Sequence, residues 1–269
     1  MLMRIKTGCA FCLTEESRME RQRELTDLVN DSLDRAEADW EGVGSLLEAK
    51  EAVALANSRN FIPSNIPGHP LVDTTEPKVD QFIAFVLDIR DSTQRLMCAI
   101  GKDKAKVTGL QRLFFETSAL LPAASQLVEW KDGAVTEYLG DGLLAMFRVK
   151  EGQREARIDD AYATATRSLE LVRELVNPIL HFRYGVPELA IGVGLAFSKA
   201  IVTVVGLGAS RQAKAFGQCV WRASKLSGGR NQVIVDESIR LAWPTSKDGR
   251  LHFRPIKLKG SDGFLVYQQ

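Results

Sequence analysis

The stretch that most restricts what this chain can become is Phe82 to Thr93, FIAFVLDIRDST. Its first six residues are an unbroken apolar run with the length and composition of a strand buried on both faces. Asp88 ends that run. A carboxylate delivered there stands at the edge of the sheet in a position fixed by the core, which suits a hard divalent cation. The same residues admit a plainer reading, in which Asp88 only terminates the strand and Ser92 or Thr93 caps the next helix.

A second acid stands in a matching place. Ala134 to Arg148, AVTEYLGDGLLAMFR, reads as strand, turn, strand: Val135 to Leu139 alternates, Gly140-Asp141-Gly142 signals a tight turn, and Leu143 to Phe147 is apolar again. The hairpin tip thus carries Asp141. One carboxylate at a central strand end and one on a hairpin tip can share Mg²⁺ ions with the phosphates of a nucleotide. For a lone hairpin, Asp-Gly would signify no more than a good turn former.

The flanks fill in around these two elements. Glu15 to Ala56 carries Leu25, Leu28, Val29 and Leu33, then Leu46, Leu47 and Val53, and predicts one long helix or two, broken near Gly42 and Gly44. It can pack on the following domain or pair with a second subunit. Pro63, Pro67, Pro70 and Pro77 exclude regular structure from Phe61 to Pro77, which predicts a linker. Apolar spacing predicts helices over Asp103–Val128, with Pro122 as a kink, and over Arg154–Leu180. Leu189–Leu195 and Ala200–Val205 read as two strands joined by a turn at Ser198 and Lys199. GLGASR, from Gly206, lacks the third glycine of a dinucleotide loop and reads as a flexible connection. Gln218–Leu226 reads as a helix, Gln232–Val235 as a strand, Glu237–Ala242 as a helical turn, and His252–Lys257 with Phe264–Tyr267 as a closing hairpin. The order strand, helix, hairpin, helix, strand is the ferredoxin-like split pattern.

Composition narrows the class of partner. With 269 residues, 45% of them apolar, the chain can bury a proper core. Its net charge is +1 and its basic residues are dispersed among acids, which predicts no nucleic-acid partner. The absence of a long apolar run and of a signal-peptide core predicts a cytoplasmic protein with no membrane partner. Cys9, Cys12, Cys98 and Cys219 do not make a disulfide framework in a chain of this size, and the lone Cys9-x-x-Cys12 reads as free thiols rather than as zinc ligands. His69, His181 and His252 lack metal spacing and read as surface or packing residues.

Taken in order, FVLDIRDST, EYLGDGLLAMF, IGVGLAFSKAIVTVVG and FGQCVWRASKL resemble the catalytic domain of the class III nucleotidyl cyclases, the adenylyl and guanylyl cyclases, over residues 79 to 268. The resemblance implies an α+β, ferredoxin-like cyclase domain over 79–269, with a central antiparallel sheet flanked by helices. A helical N-terminal extension over 1–60 and a Pro-rich linker over 61–78 precede it. The implied reaction is intramolecular: the ribose 3′ hydroxyl of a nucleoside triphosphate attacks the α-phosphate, and pyrophosphate leaves. The implied cofactors are two Mg²⁺ or Mn²⁺ ions per site, with Asp88 and Asp141 matching the metal aspartates and the carbonyl of Ile89 the backbone ligand. Arg90, Ser92 and Thr93 fall in the turn that cradles phosphates, and Lys259 matches a lysine that holds the triphosphate. Because such sites draw on two subunits and this chain carries both halves, a head-to-tail homodimer with composite active sites is expected.

Several positions depart from the family pattern. Adenylyl cyclases place a lysine four residues before the hairpin aspartate and an acid three residues before the glycine of the later motif; here those positions hold Glu137 and Lys214, so the charges are exchanged. Uracil offers a donor at N3 and an acceptor at O4, which Glu137 and Lys214 satisfy in that order. Guanine offers a similar pair, so the exchange rejects adenine more firmly than it separates uracil from guanine. Trp221 occupies the position of the family's transition-state asparagine and Lys225 that of its arginine. The indole fills space that a pyrimidine leaves, and Lys225 or Arg222 supplies positive charge to the leaving triphosphate. These features most resemble the pyrimidine cyclases of Pycsar antiphage defence, which make cyclic UMP or cyclic CMP. The expected activity is therefore a uridylate cyclase, with a purine cyclase or a non-catalytic cyclase-like module as the alternatives.

Overall fold

The computed structural model describes residues 15–43, 61–97, 107–243, 251–258 and 260–268. In chain order the elements are α1 (Glu15–Val43), β1 (Phe61–Pro63), β2 (Leu71–Asp73), β3 (Lys78–Ile89), α2 (Ser92–Met97), α3 (Gly109–Glu129), β4 (Ala134–Tyr138), β5 (Gly142–Arg148) and α4 (Arg154–Leu171). A π-helical turn at Val172–Val176 leads into α5 (Asn177–Tyr184), followed by β6 (Ile191–Val205), β7 (Gln212–Gly217), α6 (Gln218–Leu226), β8 (Gln232–Val235), α7 (Glu237–Leu241), β9 (Leu251–Leu258) and β10 (Ser261–Gln268). Among the described residues eight strands form one sheet in the order β4-β5-β3-β6-β8-β10-β9, with β7 paired to β6. Pro255 lies in the edge strand β9, where a missing backbone donor is tolerated.

The apolar run is the middle of β3, and both of its faces are covered. Ile83, Phe85, Leu87 and Ile89 join a core with α3 and α4, while Phe82, Ala84 and Val86 join a second one with Cys219 and Ala223 of α6 and Ile66 and Val72 of the β1–β2 region. Leu25, Val29 and Leu33 of α1 are buried in the first core, so the N-terminal helix packs on the domain. Its far end is clamped to α5. Arg183 Nη1 reaches Asp34 at 2.7 Å and Glu37 at 3.1 Å, Nη2 donates to Asn30 at 2.9 Å, and the Tyr184 hydroxyl donates to Glu37 at 2.5 Å. Burial first, and then Glu37, pushes the Tyr184 hydroxyl up from its ordinary value. The Tyr184 ring in turn stacks on Phe115 of α3, with centroids 4.6 Å apart.

Three expectations change. Residues 189–205 do not form two strands: β6 pairs with β3 continuously from Ile191 opposite Ile89 to Val202 opposite Lys78, leaving no turn at Ser198-Lys199. The polar Ser198 is there for a distant reason, since its hydroxyl accepts the Cys219 N–H at 2.9 Å and satisfies a free amide in the first turn of α6. The proline-rich stretch is not devoid of regular structure either. Its two three-residue strands pair antiparallel, and short ribbons at an edge accommodate prolines at their ends. The second long helix is interrupted by the π-turn just before Pro178, a residue that has no N–H to continue the α-helical ladder. In the preceding helix Pro122 lies inside α3, which starts at a capping box formed by Thr108 and Gln111. The part of the expected Glu15–Ala56 helical stretch beyond residue 43, residues 98–106, Lys259, Cys9, Cys12 and Cys98 lie outside the described residues.

Asp80 fastens the β1–β2 ribbon to the sheet. Arg148 Nε donates to its Oδ2 at 2.6 Å, the Gln81 N–H donates to Oδ1 at 2.8 Å, and His69, whose ring lies against Phe82, sits 3.1 Å away. Burial works against ionisation of Asp80, yet the Gln81 amide, His69 and Arg148 outweigh it and hold the carboxyl below its ordinary 3.8. A depressed folded-state value means that its contribution to stability is fully present above that pH and lost as pH falls through the folded value. The urea midpoint of the wild type is expected to exceed that of Asp80→Asn by its full margin above about pH 5, and the margin to close progressively as pH falls through 3.8 and below. A margin that persisted at about pH 2 would assign the fastening to other contacts.

Candidate active site

Two glycines bring the two aspartates together. Asp88, the penultimate residue of β3, stands opposite Gly142 of β5 on one side and Gly192 of β6 on the other. The Ile89 N–H donates to the Asp141 carbonyl at 3.1 Å, and the Leu139 N–H to that of Gly142 at 2.8 Å. A methyl group at Gly142 would collide with the Leu87 carbonyl oxygen, and Gly140 has a φ of +80°. The Gly-Asp-Gly turn is therefore required by close backbone approach as well as by turn geometry. Glycine acts similarly behind Asp88: Cβ atoms at Gly192 and Gly194 would strike backbone carbonyls of Ser227 and Ala223, so α6 lies directly against β6.

Arg90 joins this group. Its Nη1 is 3.0 Å from Asp88 Oδ2 and donates to the Ser227 carbonyl at the end of α6 at 2.8 Å, while its N–H donates to Ala190 at 2.8 Å. Asp91 follows in the left-handed region at φ +60°, with its carboxylate on Arg230, and Ser92 and Thr93 open α2. Asp88, Ile89, Arg90 and Asp141 thus converge at one end of β3. Among the described residues no three His, Cys, Asp or Glu side chains come together as a metal cluster. A hard cation here would draw on two carboxylates, a carbonyl and oxygens of a phosphate ligand, a donor set that fits Mg²⁺ or Mn²⁺.

The exchanged charges also meet. Lys214 Nζ lies 2.8 Å from Glu137 Oε2, each side chain partly exposed. Glu137 follows a bulge in β4, where the register against β5 shifts between Val135 and Glu137, and bulges re-aim side chains next to sites. Lys214 sits in β7 opposite Thr203. The sequence reading missed β7 because Gln, Ala, Lys and Gly dilute its strand composition; the alternation of Ala213 and Ala215, packed against the second core, was the available signal.

On α6, one turn apart, Lys225 Nζ stands 5.8 Å from the centroid of the Trp221 indole, which is 59% exposed. Arg222 points elsewhere, with its Nη1 3.5 Å from Asp236 Oδ2. Asp236 is the buried N-cap of α7, and burial pushes its carboxyl up, opposed by the Ile239 and Phe197 amides and Arg222. Of the two cations expected at the leaving group, Arg222 thus has a carboxylate partner, whereas Lys225 stands over the Trp221 ring.

No family model matches the chain, and neither does any curated protein sequence. Solved structures do. The crystal structure of the guanylyl cyclase Cya2 matches with a TM-score of 0.56 at 16% identity, covering 71% of this chain and 92% of that one. The adenylyl cyclase CyaB from P. aeruginosa matches with 0.56 at 16% identity, covering 72% and 97%. A class III adenylyl cyclase-like ATP-binding protein from Pseudomonas aeruginosa matches with 0.56 at 14% identity, covering 65% of this chain and 37% of its own length. The chain therefore has the class III cyclase fold, a central sheet flanked by helices, with an N-terminal helix packed on it. No helix among the described residues is long and apolar enough to cross a membrane.

Proposed function

We propose that this chain is a nucleotide cyclase that converts a pyrimidine nucleoside triphosphate, UTP in the first place, into its 3′,5′-cyclic monophosphate and pyrophosphate. The observation that carries the reading is the convergence of Asp88, Ile89 and Asp141 at one end of β3, enforced by Gly142. Held there, two Mg²⁺ or Mn²⁺ ions would supply the acidity the 3′ hydroxyl needs and offset developing phosphate charge. The chain's own part is to orient and to stabilise. Arg90, Ser92, Thr93 and Lys259 are assigned to the phosphates. Lys225 is preferred over Arg222 for the leaving group, since Arg222 is engaged with Asp236. Glu137 would accept from uracil N3–H and Lys214 would donate to O4, while Trp221 fills the space beside a small base.

The fold's partner is proposed to be a second copy, giving a head-to-tail homodimer with composite sites. Val79, Ile201 and Phe216 are neighbours across three strands, all exposed, and such an apolar row marks an interface. The resemblance to Pycsar cyclases extends the proposal to a cytoplasmic second-messenger synthase in antiphage defence. A second reading, nucleotide binding without turnover, is favoured by the Arg90 guanidinium on Asp88 and by likeness to the ATP-binding protein from Pseudomonas aeruginosa.

Incubating the purified protein with Mn²⁺ and ATP, GTP, CTP or UTP separately, and resolving cyclic products by mass, tests these readings. Cyclic UMP or cyclic CMP is the expected product. Cyclic AMP or cyclic GMP would retain the reaction and overturn the base assignment, and tight binding of a nucleotide with no product would favour the second reading.

A further inference from the structure

We infer that Arg95, anchored by Glu116, is a positioning residue for the segment Asp88–Thr93, setting from behind the turn that takes metal and phosphate. The inference rests on the proposal that this segment receives metal-bound phosphates. Arg95 lies in α2, a helix of six residues that cannot hold its own place. Its guanidinium reaches inward. Nη2 donates to Glu116 Oε1 at 2.6 Å and to the Pro187 carbonyl at 3.0 Å, and Nη1 donates to the Glu188 carbonyl at 3.0 Å. Arg112 Nε donates to the same Glu116 oxygen at 2.8 Å. Glu116 is wholly buried and Arg112 nearly so.

The contacts grip the segment at both ends. At one end the Arg90 N–H is on Ala190; at the other, the Arg95 N–H closes on the Asp91 carbonyl at 2.8 Å while its side chain holds residues 187 and 188 of the same loop. Between them Asp91 keeps a left-handed backbone, a conformation that persists only where its surroundings over-determine it. A buried ion cluster is a poor way to gain stability compared with packed apolar side chains, which directs its purpose to geometry. Arginine is the suitable residue because its fork spans one carboxylate and two carbonyls, which a lysine ammonium on a single stem does not. Arg112 provides the internal comparison, since it shares Glu116 and, among the described residues, its side chain makes no hydrogen bond to the loop or the turn.

The test uses the full chain and a ligand without a base, inorganic tripolyphosphate with Mg²⁺, titrated by calorimetry into Arg95→Met, Arg95→Lys and Arg112→Met, each checked for folding by circular dichroism. Arg95→Met is expected to weaken binding by about tenfold to 100-fold, the scale of effect of a small misplacement, and to speed amide exchange in residues 89–95. Arg95→Lys is expected to fall between it and the wild type. Arg112→Met is expected to lower the melting temperature with little change in affinity. If Arg95→Met does not fold, the lysine variant carries the comparison. Equal affinity in the folded wild type and Arg95 variants, or equal weakening by Arg112→Met, would overturn the inference, as would a wild type that binds no tripolyphosphate. A wild type that makes no cyclic nucleotide yet binds tripolyphosphate in an Arg95-dependent way would sink the cyclase proposal and support this one.

Discussion

Asp141→Ala is expected to reduce cyclic nucleotide formation by ~10³-fold or more while leaving the fold intact. The carboxylate sits on the tip of a tight turn whose shape depends on backbone: Gly140 at positive φ, the Leu139–Gly142 hydrogen bond, and Gly142 against Leu87. Removing the side chain touches none of these, so the melting temperature should stay within about 2–4 °C of the wild type. Asp88→Asn should be as damaging to activity, for a complementary reason. It keeps the size of the side chain but takes away the charge that faces Arg90 at 3.0 Å, so the guanidinium keeps the Ser227 carbonyl and loses its ionic partner. Rates measured in Mn²⁺ with each variant at equal folded concentration decide the matter. Activity within about tenfold of wild type in either variant would remove the two aspartates from the chemistry.

The second large effect is expected in selectivity rather than in rate. On the proposed base reading, Glu137→Ala and Lys214→Ala each leave one charged group without the partner it has in the pair. A site built to hydrogen-bond a substrate discriminates by up to ~10⁴-fold, and that discrimination should collapse in either variant. The ratio of kcat/KM for UTP to that for ATP is the quantity to follow. Reversing both charges, Glu137→Lys with Lys214→Glu, remakes the ion pair in the opposite sense and should tilt the ratio toward ATP. Stability should hardly register any of this, because both side chains are about a quarter to a third exposed, and pairs of that kind contribute ~0–1 kcal/mol. A ratio that does not move in any variant would mean that other side chains read the base.

The parts of the fold that can be read from the chain are those whose cause is local. Six apolar residues in a row identified the central strand, and glycines around an aspartate identified the hairpin, because burial and turn geometry act over a few residues. What escaped was set over longer distances. Ser198 breaks the apolar pattern of β6 in order to satisfy an amide 21 residues later, and from the pattern alone it looks like a turn. Arg95 and Glu116 are also 21 residues apart, on different helices, and nothing in either segment announces the other. The site divides in the same way. Asp88 and Asp141 follow from strand ends and turns, whereas Glu137 and Lys214 were visible only through family resemblance until β7 brought the lysine back to the carboxylate.

The clamp between α1 and α5 makes the N-terminal helix a handle on the interior. Tyr184, held by Glu37 and stacked on Phe115 beside Glu116, is followed directly by the loop whose carbonyls receive Arg95 and Arg90. A protein or domain that grasps residues 15–43 therefore has hold of the same loop that seats the turn Asp88–Thr93. In such an arrangement a signal would enter through how tightly one helix is docked, with no need to reach the proposed site itself.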